Sequence, residues 1–157
     1  MATRSATVLV ASVAAFASGA VASSAGMPGD SGNTRLTVRV QTTKLTLVDT
    51  GPTGSSPGDL VVEDDNVTRR GRPFGTAQFN CVAHAGDLAN GSAQCTGTLY
   101  LADGQIQTQG DATSVNGSIS GKGAVTGGTG DYHGVHGSYT FRTTTGPERV
   151  IRLILTR

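Results

Sequence analysis

Segments in which apolar and polar residues alternate recur eight times after residue 34, and turn-forming residues separate them. An alternation with a period of two is typical of β-strands, because successive side chains point to opposite faces of the sheet. No window in this part of the chain has a convincing helical periodicity. Strands that begin roughly every 10 to 14 residues favour an antiparallel barrel or sandwich.

The predicted strands cover residues 35–48, 59–68, 74–85, 92–101, 105–108, 118–126, 132–142 and 149–156. In the first strand the apolar parity changes near Thr42 and Thr43, which predicts a β-bulge. Pairing of the last strand with the first would leave no open sheet edge. We therefore predict an all-β domain of residues 35–157, an eight-stranded antiparallel β-barrel.

The composition indicates a hollow barrel. The chain has 23 glycines and only 4% aromatic residues, so few side chains are large enough to fill an interior. An eight-stranded barrel is just wide enough to hold side chains or one small ligand. We therefore expect a cavity that binds a small hydrophobic molecule.

The first 22 residues are typical of a secretory signal peptide. Arg4 carries the one charge, residues 5–22 are uncharged, and Ala20-Val21-Ala22 forms a small-x-small cleavage site. The alternative, an uncleaved membrane anchor, needs a longer apolar stretch of roughly 20 residues. Residues 23–34, rich in Ser and Gly, are predicted to form a flexible lead-in. The predicted location is therefore secreted, or extracellular.

Cys81 and Cys95 are the two cysteines of the chain. If the hairpin between the third and fourth strands is symmetric about Leu88, these two residues lie directly opposite each other, close enough for a disulfide bond. An oxidising compartment favours that bond. The alternative is a free reactive thiol at Cys81. No C-x-x-C motif is present, and His84, His133 and His136 lack the spacing of metal ligands, so we expect no metal.

The charge balance excludes several partners. The formal net charge is +1, from 12 basic and 11 acidic residues, and it falls to zero without Arg4. A neutral chain with few aromatic residues has no electrostatic footprint for nucleic acid and no basic patch for an anionic membrane. We expect no nucleic-acid partner, no membrane contact after signal cleavage, and no cofactor.

A glycine-rich motif lies at residues 124–137, where the sequence is AVTGGTGDYHGVHG. Its glycines allow backbone angles and close approaches that other residues do not. No Lys-Ser/Thr and no helical pattern follow, so the motif is not a phosphate-binding loop. The predicted structural glycines of this turn are Gly127, Gly128, Gly130, Gly134 and Gly137.

This motif resembles the G-G-T-G-x-(F/Y)-x-G-x-x-G signature of the allene oxide cyclase and dirigent barrel superfamily, and the resemblance extends over about residues 36–156. The sequence GDLV at 58–61 is similar to the start of the second strand of allene oxide cyclases. The sequence VEDDNVT at 62–68 is similar to the (I/V)-D-D-P-L-T stretch of dirigent proteins. Cys81 falls where plant cyclases carry a pocket cysteine. With its signal peptide, the chain resembles the exported barrels common in actinobacteria.

The resemblance implies an isomerase or cyclase that acts on a small hydrophobic substrate, and assembly as a homo-oligomer, a trimer or dimer. Three departures from the family pattern affect the site. Residues 36–43 lack the glutamate that plant cyclases place in the first strand, His136 replaces the arginine of dirigent proteins, and Asn66 replaces a proline.

The predicted catalytic residues are Asp64, Asp65 and His136, which we expect at one barrel mouth beside the glycine-rich turn. A buried carboxyl group can hold a proton near neutral pH, and histidine titrates there. The alternative is that both aspartates are solvated charges at a strand end. The predicted pocket wall consists of Phe79, Tyr100, Tyr139 and Phe141.

Two functions remain open from the sequence: a barrel isomerase or cyclase, and a non-catalytic secreted barrel that binds a small hydrophobic ligand or a protein partner. A carboxylate in the lumen with a His or Arg across it would favour chemistry, whereas a lumen of only Leu, Val, Thr and Phe would favour binding. A separation above about 12 Å between Asp64 or Asp65 and His136 would remove that predicted site, because it exceeds direct or one-water proton transfer. That outcome would make the binding barrel the first choice.

Export has a direct test. We predict that the mature protein begins near Ser23, because cleavage after Ala22 fits the small-x-small rule. Intact-mass analysis of protein recovered from culture medium measures this start. Recovery of the full-length chain only in the membrane fraction would contradict the prediction and support the anchor.

Overall fold

The computed structural model describes residues 32–144 and 146–157, so the predicted signal segment 1–22 and residues 23–31 of the lead-in lie outside the described residues. The described residues form eight strands and one short 3-10 turn. The strands are β1 (Thr34–Val48), β2 (Leu60–Arg69), β3 (Arg72–Gly86), β4 (Gly91–Leu101), β5 (Gly104–Val115), β6 (Ser118–Gly128), β7 (His136–Thr143) and β8 (Glu148–Thr156), and the 3-10 turn is Gly130–Tyr132. Within these ranges no helix is long and apolar enough to cross a membrane.

The strands form one closed antiparallel barrel in chain order, and β8 pairs with β1. This confirms the predicted fold and its closure. The register in β1 shifts between Thr42 and Lys44, which is the bulge that the change of apolar parity predicts. After this bulge the odd-numbered residues of β1 lie on the same face of the sheet as the inward residues of β2. Leu45, for example, pairs with Glu63.

Two strands differ from their predicted bounds by more than two residues. β5 continues to Val115 rather than ending at Thr108, because Gly110 pairs with both Cys95 and Gly123 and remains in the sheet. A Cβ at Gly110 would overlap the carbonyl oxygen of Lys122, so glycine marks a close approach of strands here and not a turn. β7 begins at His136 rather than Tyr132, because the chain first forms the 3-10 turn and reaches positive φ at Gly134.

The two ends of the barrel differ. We call the end with the β3–β4 hairpin, the β5–β6 hairpin and residues 49–59 the open end, and the opposite end the closed end. Large apolar side chains fill the closed end: Leu36, Val38, Val40, Leu99, Leu101, Ile106, Val125, Val135, Leu153 and Leu155 are all buried. The glycine-rich turn lies at this closed end, since β6 ends there and β7 begins there. Gly130, Gly134 and Gly137 have φ values of 60°, 75° and 146°, whereas Gly127 and Gly128 have no positive φ.

The disulfide between Cys81 and Cys95 is present, as predicted. The two residues are directly opposed in β3 and β4, with their Cα atoms 4.0 Å apart. Both cysteines of the chain are in this bond, so the alternative of a free thiol at Cys81 does not apply to the oxidised protein.

The stabilising effect of this disulfide can be measured. Replacement of both cysteines, Cys81→Ser with Cys95→Ser, should lower stability by up to about 3 kcal/mol, because the bond constrains a loop of 14 residues in the unfolded chain. For a domain of this size the midpoint of thermal unfolding should fall by roughly 10 °C. Thiol titration of the unreduced, denatured wild type should find no free thiol. The double variant is also the control for effects of the reducing agent, which should leave the melting temperature of this variant unchanged. Two titratable thiols in the wild type would contradict the disulfide bond.

Candidate active site

A cavity of about 350 Å³ occupies the open half of the barrel. This volume lies within the range of small-molecule sites. The inward positions of the strands in this half carry mostly small or aromatic side chains, whereas those at the closed end carry branched aliphatic ones. The small residues are Ala83, Ala85, Ala93 and Ala112, the aromatic ones are Phe79, Tyr139 and Phe141, and the Cys81–Cys95 bond forms part of the wall.

Two glycines position the aromatic walls. Gly97 pairs with Phe79 and Gly121 pairs with Phe141 across neighbouring strands. A Cβ at either glycine would overlap the paired ring, so each ring lies flat over a position without a side chain. The cavity therefore owes its shape to glycines in the strands as much as to the residues that line it.

Three charged residues form the floor of the cavity. Glu63, Asp65 and Arg149 have relative exposures of 6%, 2% and 9%, respectively. Nη2 of Arg149 donates to Oδ2 of Asp65 at 2.8 Å and to Oγ1 of Thr42 at 3.3 Å, and Nη1 lies 2.5 Å from Oε2 of Glu63. The guanidinium also lies 5.5 Å from the centre of the Phe79 ring. We call Glu63, Asp65 and Arg149 the charged floor.

The charged floor contains two carboxyl groups and one guanidinium, so full ionisation leaves one negative charge in excess. Burial is the main cause that raises the pKa of Asp65, the nearby Glu63 adds to it, and Arg149 and Thr42 oppose it. Oδ1 of Asp65 is buried and accepts no hydrogen bond from the described residues, while the buried Oε2 of Glu63 contacts Arg149 in the ion pair. One proton on Asp65 makes the floor neutral.

The three residues of the charged floor differ in whether they contact the cavity. Glu63 and Arg149 line the cavity, whereas Asp65 lies behind them and does not. A bound molecule would therefore meet the Glu63 carboxyl and the Arg149 guanidinium. Glu63 can exchange a proton with such a molecule, and Arg149 can donate hydrogen bonds to an oxygen on it.

The structure separates Asp64 from the lumen. Asp64 lies on the outer face, where its Oδ1 accepts a hydrogen bond from Nε2 of Gln78 at 3.0 Å. The Tyr100 hydroxyl donates to Oε1 of the same Gln78 at 3.3 Å, and Tyr100 is exposed. The predictions that Asp64 belongs to an internal site and that Tyr100 lines the pocket are therefore wrong. Phe79, Tyr139 and Phe141 do lie in the cavity wall.

The structure also separates His136 from Asp65. His136 is exposed and pairs with Thr156 on β8, whereas Asp65 contacts Arg149 on the same strand. Seven residues of extended chain between Arg149 and Thr156 span about 23 Å. The prediction that His136 and an aspartate meet at one mouth is wrong, because the glycine-rich turn lies at the closed end and the charged floor faces the open half.

The sequence contained signals for the two residues that were missed. Arg149 shares its parity with Ile151, Leu153 and Leu155, which all point inward, and Glu63 shares its parity with Asp65. An inward carboxylate together with an inward arginine favours chemistry, and Arg149 supplies that arginine beside Glu63, two strands away rather than across the lumen. Among the described residues no three His, Cys, Asp or Glu side chains are grouped as metal ligands, and His84, His133 and His136 are exposed.

Known proteins with this fold include enzymes. The sequence has no significant match among curated proteins. A structure titled pyocyanin demethylase is 24% identical with a TM-score of 0.67, and the match covers 78% of this chain and 100% of that one.

Two further structures are described as cyclases. A nonspecific heme-binding cyclase that catalyses a 4 + 2 cycloaddition during neoabyssomicin biosynthesis is 21% identical with a TM-score of 0.61, over 82% of this chain and 66% of that one. The Diels–Alderase AbmU from Streptomyces koyangensis is 19% identical with a TM-score of 0.57, over 78% and 64%. At these identities the likeness shows the fold alone. The family model of the allene oxide cyclase barrel-like domain matches residues 34–155, nearly the whole described barrel, and the chain therefore belongs to that family.

Proposed function

We propose that this protein is an isomerase or cyclase that holds a small hydrophobic molecule in the open half of the barrel, with Glu63 as its acid–base group. The observation that carries this proposal is the charged floor beneath an otherwise largely apolar cavity. A buried cluster of ionised groups is costly, and well-packed apolar residues of similar volume would often stabilise the fold as well or better. Such a cluster at the base of a cavity is typical of a functional site.

The walls supply the first part of the mechanism. Phe79, Tyr139 and Phe141 exclude water and hold a flexible substrate in a folded conformation, which brings its reacting atoms together. An isomerisation or cyclisation needs no second reactant, so positioning alone lowers much of the barrier. This fits a site with few ionisable groups.

The charged floor supplies the second part. The Glu63 carboxylate takes a proton from one atom of the substrate and returns it to another, so no proton is gained or lost overall. Arg149 donates hydrogen bonds to an oxygen on which negative charge develops. Asp65 touches no substrate; it holds Arg149 in place through the 2.8 Å hydrogen bond and is a positioning residue.

The comparisons agree with this class of reaction, since two of the similar structures are described as cyclases and the matching family carries the name of a cyclase. The demethylase indicates that the same fold can host another chemistry. Export through residues 1–22 would place the reaction outside the cell, and the Cys81–Cys95 bond fits an oxidising compartment. We also propose that this protein assembles as a homo-oligomer, a trimer or dimer.

The second candidate is a secreted barrel that binds a hydrophobic ligand without turnover. The separation of His136 from Asp65 removes the predicted site and by itself would make this candidate the first choice, and the ion pair that already engages Glu63 also favours it. It ranks second because a carboxylate and an arginine line the cavity, which is the other criterion and favours chemistry. In this alternative the charged floor only fixes the register between β2 and β8 across β1. The two candidates differ in whether Glu63 changes a bound molecule.

Turnover distinguishes them. We expect incubation with a panel of hydrophobic epoxides, polyenes, enones and heteroaromatic compounds to yield a product of unchanged mass and altered chromatographic retention. Glu63→Gln keeps the shape of the side chain and its contact with Arg149 but removes the carboxylate that takes up the proton, so the rate should fall about 10²- to 10⁴-fold. Liquid chromatography with mass spectrometry measures the product.

Asp64→Asn is the matched control, because it removes a carboxylate one residue away on the outer face and should leave the rate unchanged. Equal rates for Glu63→Gln and wild type would remove Glu63 from the mechanism. Ligand binding without conversion of any compound would favour the binding barrel.

The protonation of Asp65 predicts a pH dependence of stability. The pKa of Asp65 is raised from 3.8 in the folded state, so the folded protein holds this proton more tightly than the unfolded chain does. The stabilisation from Asp65 is complete below pH 3.8 and is lost as the pH rises through the folded-state pKa. Asp65→Asn abolishes this loss, so its melting temperature relative to wild type should increase between pH 4 and pH 7.

Scanning calorimetry at several pH values measures that difference. The control Asp64→Asn lies on the outer face and should not show the same increase. A relative melting temperature of Asp65→Asn that falls as the pH rises would contradict a raised pKa.

A further inference from the structure

The charges that face the cavity are unbalanced. Among its lining residues are four carboxyl groups, those of Asp49, Asp59, Glu63 and Asp87, and a single cationic group, Arg149. Arg149 is already paired with two carboxyl groups of the charged floor. The lining groups therefore give the cavity an excess of negative charge.

Three of these carboxylates stand at the open end, and the backbone holds them there. Asp59 accepts hydrogen bonds from the backbone N–H groups of Thr50 and Ser56, and Asp87 accepts them from Ala89 and Asn90. These backbone bonds are the main cause that lowers the pKa of both carboxyl groups, so they remain charged. Asp49 similarly accepts a bond from the N–H of Gly54. We call Asp49, Asp59 and Asp87 the acidic rim.

The floor supplies an independent observation. The Glu63 side chain is more than nine-tenths buried and lines the cavity. Its Oε2 is buried and paired with Arg149, so its other oxygen, Oε1, is the one that can meet a donor on a bound molecule. The floor as a whole is neutral or singly negative, and it adds no positive potential to the cavity.

The mouth of the cavity at the open end also has exposed apolar side chains. Leu47, Val48 and Leu88 line the cavity at the open end and are also exposed. An apolar body entering the cavity would bury this surface and reach the aromatic walls, whose ring faces attract positive charge. Apolar and acidic groups thus meet at one mouth.

We infer that the ligand of this cavity is an organic cation with an apolar body, such as an alkylated or protonated amine, whose positive group rests at the acidic rim while its body fills the barrel. This rests on the proposed function in taking the cavity as the substrate site. The carboxylates of the rim raise the local concentration of cations and repel anions.

Three probes with the same tail test the charge preference: decylammonium, decan-1-ol and decanoate, titrated by calorimetry at pH 7 into the oxidised protein. An exposed charge contact changes affinity by a factor of about 1.5 to 5. With three rim carboxylates we expect decylammonium to bind roughly tenfold tighter than decan-1-ol and decanoate to bind weakest. The preference should shrink at high salt because the rim is exposed to solvent.

Variants locate the preference. Asp49→Asn with Asp87→Asn removes two rim charges, while each asparagine oxygen can still accept the bonds from the backbone. This variant should lose most of the preference for decylammonium. The matched control is Asp103→Asn with Asp131→Asn, two exposed aspartates at the closed end, which changes the net charge equally and should keep the preference.

Decanoate or decan-1-ol that binds as tightly as decylammonium would overturn the inference, as would binding of none of the three probes or an unchanged preference in the rim variant. Failure of this inference can be distinguished from failure of the proposed function. A cation preference without turnover of any compound would support this inference and remove only the catalytic proposal. Turnover of a neutral substrate without a cation preference would overturn this inference alone.

Discussion

The pairing of β8 with β1 is the contact on which both the barrel and its candidate site depend. β1 is the common neighbour of β2 and β8, so closure brings Asp65 and Glu63 on one strand to Arg149 on another, across Thr42. In sequence, Arg149 is 84 residues from Asp65, and no local contact joins them. A sheet open between β8 and β1 would leave the guanidinium on one edge strand and the two carboxylates next to the opposite edge. The same closure satisfies both sheet edges and assembles the charged floor.

The interior is divided by the size of its side chains. At the closed end Leu, Ile and Val residues pack into a continuous core, which supplies the apolar burial that a barrel needs for stability. In the open half alanine and glycine leave volume, and the disulfide between β3 and β4 lies beside it. One end of the molecule thus contributes most of the stability and the other holds the site. The acidic rim at the open mouth then adds charge selectivity without any further burial.

The sequence predicted the features that depend on parity and on local hairpins. Alternation identified the strands and the bulge in β1, hairpin symmetry paired Cys81 with Cys95, and apolar terminal strands predicted closure. Tyr100 was wrongly assigned to the pocket because it is aromatic. It shares its face of β4 with Thr96 and Thr98, so the alternation already placed it on the outside. His136 was placed wrongly although the strand order fixes the end at which the glycine-rich motif lies, since the turn after β6 is at the same end as the turn after β2. Asp65 lies near the middle of β2 and contacts Arg149 near the start of β8, so it belongs to the other half of the barrel. Arg149 was missed because a charged residue beside an apolar strand is ordinarily taken as its solvated end.

The glycines beneath the aromatic rings have a consequence for how such a barrel diversifies. Gly97 lies under Phe79 and Gly121 lies under Phe141, each in a strand and each remote in sequence from Glu63, Asp65 and Arg149. A methyl group at Gly97 would overlap the ring of Phe79 and displace it, whereas one at Gly121 would also overlap the backbone carbonyl oxygen of Asp111. Because the Phe79 ring lies against the Arg149 guanidinium, a change at Gly97 would alter both the size of the cavity and the surroundings of the charged floor. On this side of the barrel, the dimensions of the accepted molecule and the chemistry of the floor are therefore coupled through one aromatic ring.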